Sequence, residues 1–320
     1  MNNSLTVTKS KAITEDQDIY QLVDDWKKAL DLAVASGERS DTTVKTYKKG
    51  FEKFLSWAED HQLTTVDGDT IRRWKADLIK AKCKPATVNV WLSGVRDFFS
   101  WSVGVNRLVV NPTEGVHGAK RKGTSKSHKR EMLSDLEVKR LLSLPDRSTT
   151  EGRRDFAMLN LFLYTGIRTI ELHRADLVDL HVNGQMILNV TGKGHDESDE
   201  IVVIDHQAAQ NALYDWLAVR GGQPGALFTS LSDRSRGDRL SLSAIRALVK
   251  SYFKRAGILS SAKTTHSLRH TAASSALKNG ASPLQVQKML RHKSVETTMI
   301  YIHELNRLTD PGERFINYGE

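Results

Sequence analysis

The 320-residue sequence predicts a mainly α protein with a small antiparallel β-sheet, built as two domains. Three observations carry this. The length exceeds what a single domain usually holds. Apolar side chains recur at helical spacing through most of the chain, interrupted by two β-rich runs that flank Gly192-Lys193-Gly194. The stretch Lys120 to Arg130 holds six lysines and arginines, no acid, and interspersed Gly and Ser, so it cannot bury apolar surface and reads as a connector. The expected organisation is a flexible N-terminus over 1–18, an all-helical domain over 19–118, a basic linker over 119–130 and a second domain over 131–320.

In chain order, a first helix is expected from Ile19 to Ala35. A second follows Ser40-Asp41-Thr42, a run suited to capping a helix start, and carries Val44, Tyr47, Phe51, Phe54, Leu55 and Ala58 on one face. A third is expected from Asp69 to Lys82. The fourth begins at Pro85, a first-turn proline, and aligns Val88, Leu92, Val95, Phe98 and Phe99. Trp26, Trp57, Trp74, Trp91 and Trp101 fall in this half, where their spacing marks them as core. In the second half, helices are expected over Ser134–Leu144, Arg153–Tyr164, Gln207–Val219, Ser241–Ala256, His266–Asn279 and Pro283–Leu290, with Gly280 and Ser282-Pro283 as stop and start signals. Gln185–Thr191 and Glu200–Asp205 read as a hairpin with Lys193 at its tip.

Composition narrows the function. Lys+Arg 47 against Asp+Glu 38 gives a formal charge of +9, which suits a polyanionic partner. Cys83 is the only cysteine, so an intramolecular disulfide and a Cys-based zinc cluster are both excluded, and a cytoplasmic location is expected. Met1 to Asp18 has no apolar signal region and no eighteen apolar residues run together, so neither a secretory signal nor a membrane span is expected. There is no GxxxxGK[ST] loop and no carboxylate trio of the two-metal kind, so no cofactor and no metal is expected.

The chemistry gathers near the C-terminus: His266-Ser267-Leu268-Arg269-His270, then Arg291-His292, then Tyr301 within Thr298-Met299-Ile300-Tyr301-Ile302-His303. His266 and Arg269 lie three apart and share a helical face. A guanidinium that forks onto two oxygens of a phosphodiester stabilises the charge that builds up under attack better than an ammonium does, and a nearby phenol is a candidate nucleophile. Each residue alone is also compatible with a structural contact, so the reading rests on the set.

Together with Thr165-Gly166-Ile167-Arg168-Thr169-Ile170-Glu171-Leu172, Gly192-Lys193-Gly194 and Leu290-Arg291-His292, this set resembles the tyrosine recombinase, or phage integrase, family, in its simple two-domain Xer and Cre-like form. The resemblance implies a SAM-like helical core-binding domain followed by an α+β catalytic domain, the pair forming a clamp on DNA. It implies that Arg168 and Arg269 grip the scissile phosphate, that His292 adds a hydrogen bond, and that Tyr301 attacks to give a 3′-phosphotyrosyl bond. Lys193 would protonate the leaving 5′ oxygen, and His266 would exchange a proton near the tyrosine. Glu171, three residues after Arg168, would orient that arginine. His303 gains no role.

The same resemblance implies site-specific recombination between two double-stranded DNA sites through a Holliday junction. The assembly would be a homotetramer with a dimer on each site and with tail 302–320 exchanged between protomers, and it leaves room for accessory proteins. Lys45, Lys48, Lys49, Arg72, Arg73, Lys120, Arg121, Lys122, Lys126, Lys129 and Arg130 are the candidate DNA contacts, with solvated charge as the plain alternative. A type IB topoisomerase, a telomere resolvase and a non-catalytic regulator using a helix-turn-helix over Ala272–Leu290 are the competing readings.

Two departures stand out. Arg291 occupies the position where the family usually has Gly, which is expected to shift His292 or to add a phosphate contact. The run Asp196-Glu197-Ser198-Asp199-Glu200 is acidic where relatives often carry basic residues, and acid there repels DNA.

Overall fold

A computed structural model describes residues 6–7, 19–63, 65–120, 131–191, 200–292 and 294. The chain divides into two compact units, Met1–Thr124 and Ser125–Glu320. Lys193, Tyr301, His303, the linker residues Arg121, Lys122, Lys126, Lys129 and Arg130, and the tail 302–320 lie outside the described residues.

The first unit is built from α1 (Ile19–Ala35), α2 (Asp41–Asp60), α3 (Gly68–Lys80) and α4 (Pro85–Gly104). Ser40 caps α2 by accepting from Thr43 N–H, and Asp67 caps α3 by accepting from Thr70 N–H. Pro85 opens α4, where its missing N–H costs nothing. Trp26, Phe51, Phe54, Trp74, Phe98 and Phe99 are fully buried and meet largely edge-on or tilted, the arrangement their ring quadrupoles favour.

Helices α2 and α4 approach closely because two glycines face across them. A Cβ at Gly50 would stand 2.6 Å from the Trp91 carbonyl oxygen, and one at Gly94 would stand closer still to that of Tyr47. The unit is not wholly helical as expected, because Thr6–Val7 (β1) pairs in parallel with Thr65–Val66 (β2). These β-branched pairs satisfy each other's backbone but are too short to show a period in sequence.

The second unit contains α5 (Asp135–Leu142), α6 (Thr150–Thr165), α7 (Thr169–Arg174), a 3₁₀ turn (Leu177–Asp179), β3 (Leu180–Asn183), β4 (Gln185–Val190), β5 (Glu200–Val203), α8 (Gln207–Arg220), α9 (Leu242–Arg255), α10 (Thr265–Lys278) and α11 (Pro283–Leu290). Helix α6 is buried along most of its length and forms the spine of this core with Leu213, Trp216, Phe228 and Val249. The sheet is antiparallel in the order β3-β4-β5, with Val190 opposite Glu200. The expected hairpin is β4–β5. Strand β3 and helix α7 were not expected, since Leu180-His181-Val182-Asn183 offers only two apolar residues and α7 is barely more than one turn.

One polar network is packed inside this unit. Arg154 donates from Nε and Nη2 to Asp155 Oδ1 at 2.9 and 2.8 Å, and Tyr252 donates its hydroxyl to Asp155 Oδ2 at 3.0 Å. Burial and the neighbouring carboxylate push the Tyr252 phenol up to about 12, so it remains a hydrogen-bond donor there. Among the described residues no helix is long and apolar enough to cross a membrane.

Candidate active site

The turn after α6 sets the site. Gly166 is the left-handed cap of that helix, with φ 62°, and a Cβ there would stand 2.7 Å from Leu290 Cδ2. Only glycine meets both demands, the positive φ and the contact with α11. The chain then re-enters extended geometry at Arg168, the N-cap of α7. Glu171 makes one half of a capping box, accepting from Arg168 N–H at 2.8 Å on Oε2, while its Oε1 accepts from Arg168 Nη1. The acid three residues after the arginine therefore orients it twice, through backbone and side chain.

Arg269 lies on α10, buried among Thr265, Ser267, Leu268, His270 and Thr271. It donates from Nη1 to the Gly166 carbonyl and from Nη2 to the Leu290 carbonyl. Arg168 Nη2 donates to the carbonyls of Leu290 at 3.2 Å and Arg291 at 2.6 Å. These oxygens belong to the C-terminal ends of α6 and α11, where carbonyls lack intrahelical partners and the helix dipoles are negative. Two helix C-termini thus hold two guanidinium groups side by side. Helices α10 and α11 are pinned by a small apolar cluster of Ala273, Val286 and Leu290.

His292 follows immediately. Its backbone is tied both ways to Gln287: its N–H donates to Gln287 O at 3.1 Å, and Gln287 Nε2 donates to His292 O at 3.1 Å. Burial first, and then the charges of Arg269, Arg168 and Arg291, push the ring down to about 4, so at neutral pH it is an uncharged imidazole with one N–H to give. Because the folded chain takes its proton well below the ordinary value of 6.5, stability attached to this ring is complete above 6.5 and falls as pH drops towards 4. Unfolding in urea is expected to show His292→Gln losing less stability than wild type between pH 7 and 5. The difference should be at most about 2 kcal/mol, reduced by solvent screening of the partly exposed ring. Equal losses would remove the assignment of a buried neutral ring.

Arg291 takes an unexpected place. It is the left-handed C-cap of α11, with φ 53°. Its guanidinium turns away from solvent, donating from Nη1 to Met289 O at 2.8 Å and from Nη2 to Glu171 Oε2 at 2.5 Å. Its side-chain hydrogen bonds among the described residues go to a carbonyl and a carboxylate. Burial pushes the Glu171 carboxyl up, but the charges of Arg291 and Arg168 and the Arg168 N–H bond outweigh this and hold it below its usual range.

Glu200, at the start of β5, completes the group, with Oε2 at 3.4 Å from Arg168 Nη1 and 3.5 Å from Arg291 Nε. Read in sequence, Glu200 is one acid of an acidic run; its partners lie 32 and 91 residues away, and no local signal links them.

The structure thus brings Arg168, Glu171, Arg269 and His292 together. His266 is exposed on the first turn of α10, and Arg269 on the next turn is buried. Among the candidate DNA contacts, Lys45 pairs with Asp41 at 2.7 Å, Lys48 with Asp31 at 2.5 Å and Arg72 with Asp69 at 2.7 Å. Arg73 donates to Thr70 Oγ1 at 3.3 Å, and Lys49 and Lys120 are exposed. Exposed pairs of this kind hold their charges weakly.

A pair of arginines and a neutral histidine thus meet at two helix ends on a helical scaffold, a donor set suited to a phosphate. Residues 131–307 match the model of the phage integrase family, and residues 24–104 match that of the phage integrase N-terminal SAM-like domain. The chain belongs to the phage integrase family, and its activity is that of a site-specific tyrosine recombinase. It is 31% identical to the tyrosine recombinase XerC of Corynebacterium glutamicum over 90% of this chain and 89% of that protein. It is 30% identical to the XerD of Lacticaseibacillus casei over 83% and 89%. In fold it is similar to the XerH recombinase crystallised on a palindromic difH substrate, with a TM-score of 0.70 at 17% identity over 93% of this chain and 88% of that one. It is similar also to lambda integrase residues 75–356 crystallised as a dimer on a COC′ core site, with a TM-score of 0.68 at 19% identity over 87% and 96%.

Proposed function

We propose that this recombinase cuts and rejoins double-stranded DNA at specific sites through a 3′-phosphotyrosyl intermediate. The observation that carries the reading is the convergence of Arg168, Arg269 and a neutral His292 on the carbonyl-lined ends of α6 and α11. In this scheme the two guanidinium groups hold the non-bridging oxygens of the scissile phosphate, and His292 donates its N–H to one of them. The Tyr301 oxygen forms the new bond to phosphorus as the bond to the 5′ oxygen breaks. Its proton passes to a base, for which His266 is the candidate, and Lys193 gives a proton to the departing oxygen. The phosphotyrosyl bond conserves the energy of the phosphodiester, so a second 5′ hydroxyl can reverse the step.

The helical unit and the catalytic unit clamp the duplex, with the basic linker 119–130 along the phosphate backbone and Lys45, Lys48, Lys49, Arg72 and Arg73 as further contacts. Four protomers act on two sites, exchanging strands pairwise through a Holliday junction, with tail 302–320 passed between neighbours. The boundaries 1–18, 19–118, 119–130 and 131–320 belong to the same proposal. The similarity to XerC and XerD proteins at about 30% identity supports this reading over a topoisomerase, a telomere resolvase or a non-catalytic regulator.

The test is a duplex carrying the target site with a nick placed so that the cleaved strand loses a short fragment. Incubation in a chelator should accumulate a covalent protein–DNA adduct whose DNA-bearing peptide contains Tyr301. Tight site-specific binding without any adduct would overturn the proposal in favour of a regulator.

A further inference from the structure

Arg291 and Arg168 share the same two carboxylates. Glu171 is buried between them and bonded to both, and Glu200 Oε2 lies 3.4 Å from Arg168 Nη1 and 3.5 Å from Arg291 Nε. The Arg291 Nε is itself buried and makes no hydrogen bond among the described residues. An unsatisfied N–H in such a place costs free energy, and its nearest remedy is the Glu200 carboxylate beside it. Arg168, by contrast, has both Nη groups engaged, by Glu171, by Glu200, and by the Leu290 and Arg291 carbonyls. Its longest contact to an acid is the one to Glu200.

We propose that Arg291 is a positioning residue for Arg168: it takes over Glu200 through its unsatisfied Nε and retains Glu171 through Nη2, so that Arg168 Nη1 can exchange a carboxylate for a phosphate oxygen. The inference rests on the proposed role of Arg168 at the scissile phosphate. One arginine facing two carboxylates leaves the trio with a net negative charge, whereas a second guanidinium brings the group to neutrality, so that the neighbouring Arg269 leaves a net positive charge where the phosphodiester must sit. The left-handed turn matters here as well. At φ 53° the side chain leaves the end of α11 towards α7 and β5, a course that glycine, although better suited to the turn, could not use.

The experiment is a double-mutant cycle on cleavage of the nicked duplex at saturating DNA, with Arg291→Gly and Arg291→Asn as alternatives that both tolerate the left-handed turn. Each is expected to slow adduct formation roughly tenfold at a temperature where the variant is fully folded, with the DNA concentration for half-saturation changing far less. Adding Glu200→Gln to either variant is expected to return most of the lost rate, exceeding its effect on the wild-type background by about fivefold or more. Strictly additive effects would overturn the proposal, and so would Arg291→Gly cleaving at the wild-type rate. Arg168→Ala is run alongside. If it cleaves as fast as wild type, both this inference and the role of Arg168 fall, whereas a slow Arg168→Ala with additive Arg291 and Glu200 effects removes this inference alone.

Discussion

Tyr301→Phe is expected to abolish the covalent adduct and all recombination while leaving binding to the target duplex within a few-fold of wild type. The substitution removes one oxygen from a ring that keeps its size and apolar body. A loss of activity without loss of binding therefore points to the oxygen as the group that bonds to phosphorus. A phenol with an ordinary pKa near 10 is mostly protonated at neutral pH, so it attacks only where cationic groups stabilise the developing charge and a base accepts the proton. In the proposed scheme Arg168 and Arg269 supply that field. No neighbouring side chain replaces a nucleophile, so the drop in cleavage rate should be about 10³-fold or greater. Mixing Tyr301→Phe with Arg269→Lys protein also separates two arrangements. Activity recovered in the mixture would mean that one protomer's tyrosine serves another's arginines, and no recovery would mean that each protomer assembles its own site. An adduct that persists in Tyr301→Phe, mapped to another residue, would sink the nucleophile assignment.

Much of this site was legible before any fold was known, because its chemistry is local in sequence. Arg168 and Glu171 lie on one turn, and Gly166 just before them is the cap their geometry needs. The helix periods were equally plain: α9 and α10 begin and end within a residue of their expected bounds, and α2 and α4 begin where Ser40 and Pro85 mark a start by capping chemistry. What escaped was held by contacts across long separations. Glu200 joins Arg168 and Arg291 only once β5 has paired with β4. Arg291 read as a departure from a glycine position, expected to shift His292 or to add a phosphate contact. Its actual partner is 120 residues away. The short strand pair of Thr6–Val7 with Thr65–Val66 and the one-turn α7 were lost for a different reason: elements this brief carry too few side chains to establish a period.

Arg269→Lys preserves charge and most of the side-chain length, yet it is expected to slow cleavage by about 10² to 10³-fold. The guanidinium of Arg269 spans two helix ends at once, one nitrogen on the Gly166 carbonyl and the other on that of Leu290. An ammonium is a single centre and cannot fork in this way, so one of the two bonds is lost, and only the Leu290 carbonyl has Arg168 as a second donor. The effect on geometry follows directly. Without the bridge, the end of α6 that presents Arg168 and the end of α11 that presents His292 are no longer fixed to each other, and a displacement of about 1 Å at a reacting phosphate can cost on the order of 10²-fold. Stability should fall as well, by at most about 1 to 3 kcal/mol, the cost of a buried acceptor left wholly unpaired. The rate must therefore be compared at a temperature where the variant is fully folded. Measured at saturating DNA, the loss should appear in the rate of adduct formation and not in the concentration needed for half-saturation. Equilibrium binding uses many phosphates, whereas this residue serves only one. An Arg269→Lys enzyme that cleaves at close to the wild-type rate would show that positive charge alone suffices there, and the forked bridge between α6 and α11 would then be a feature of folding and not of catalysis.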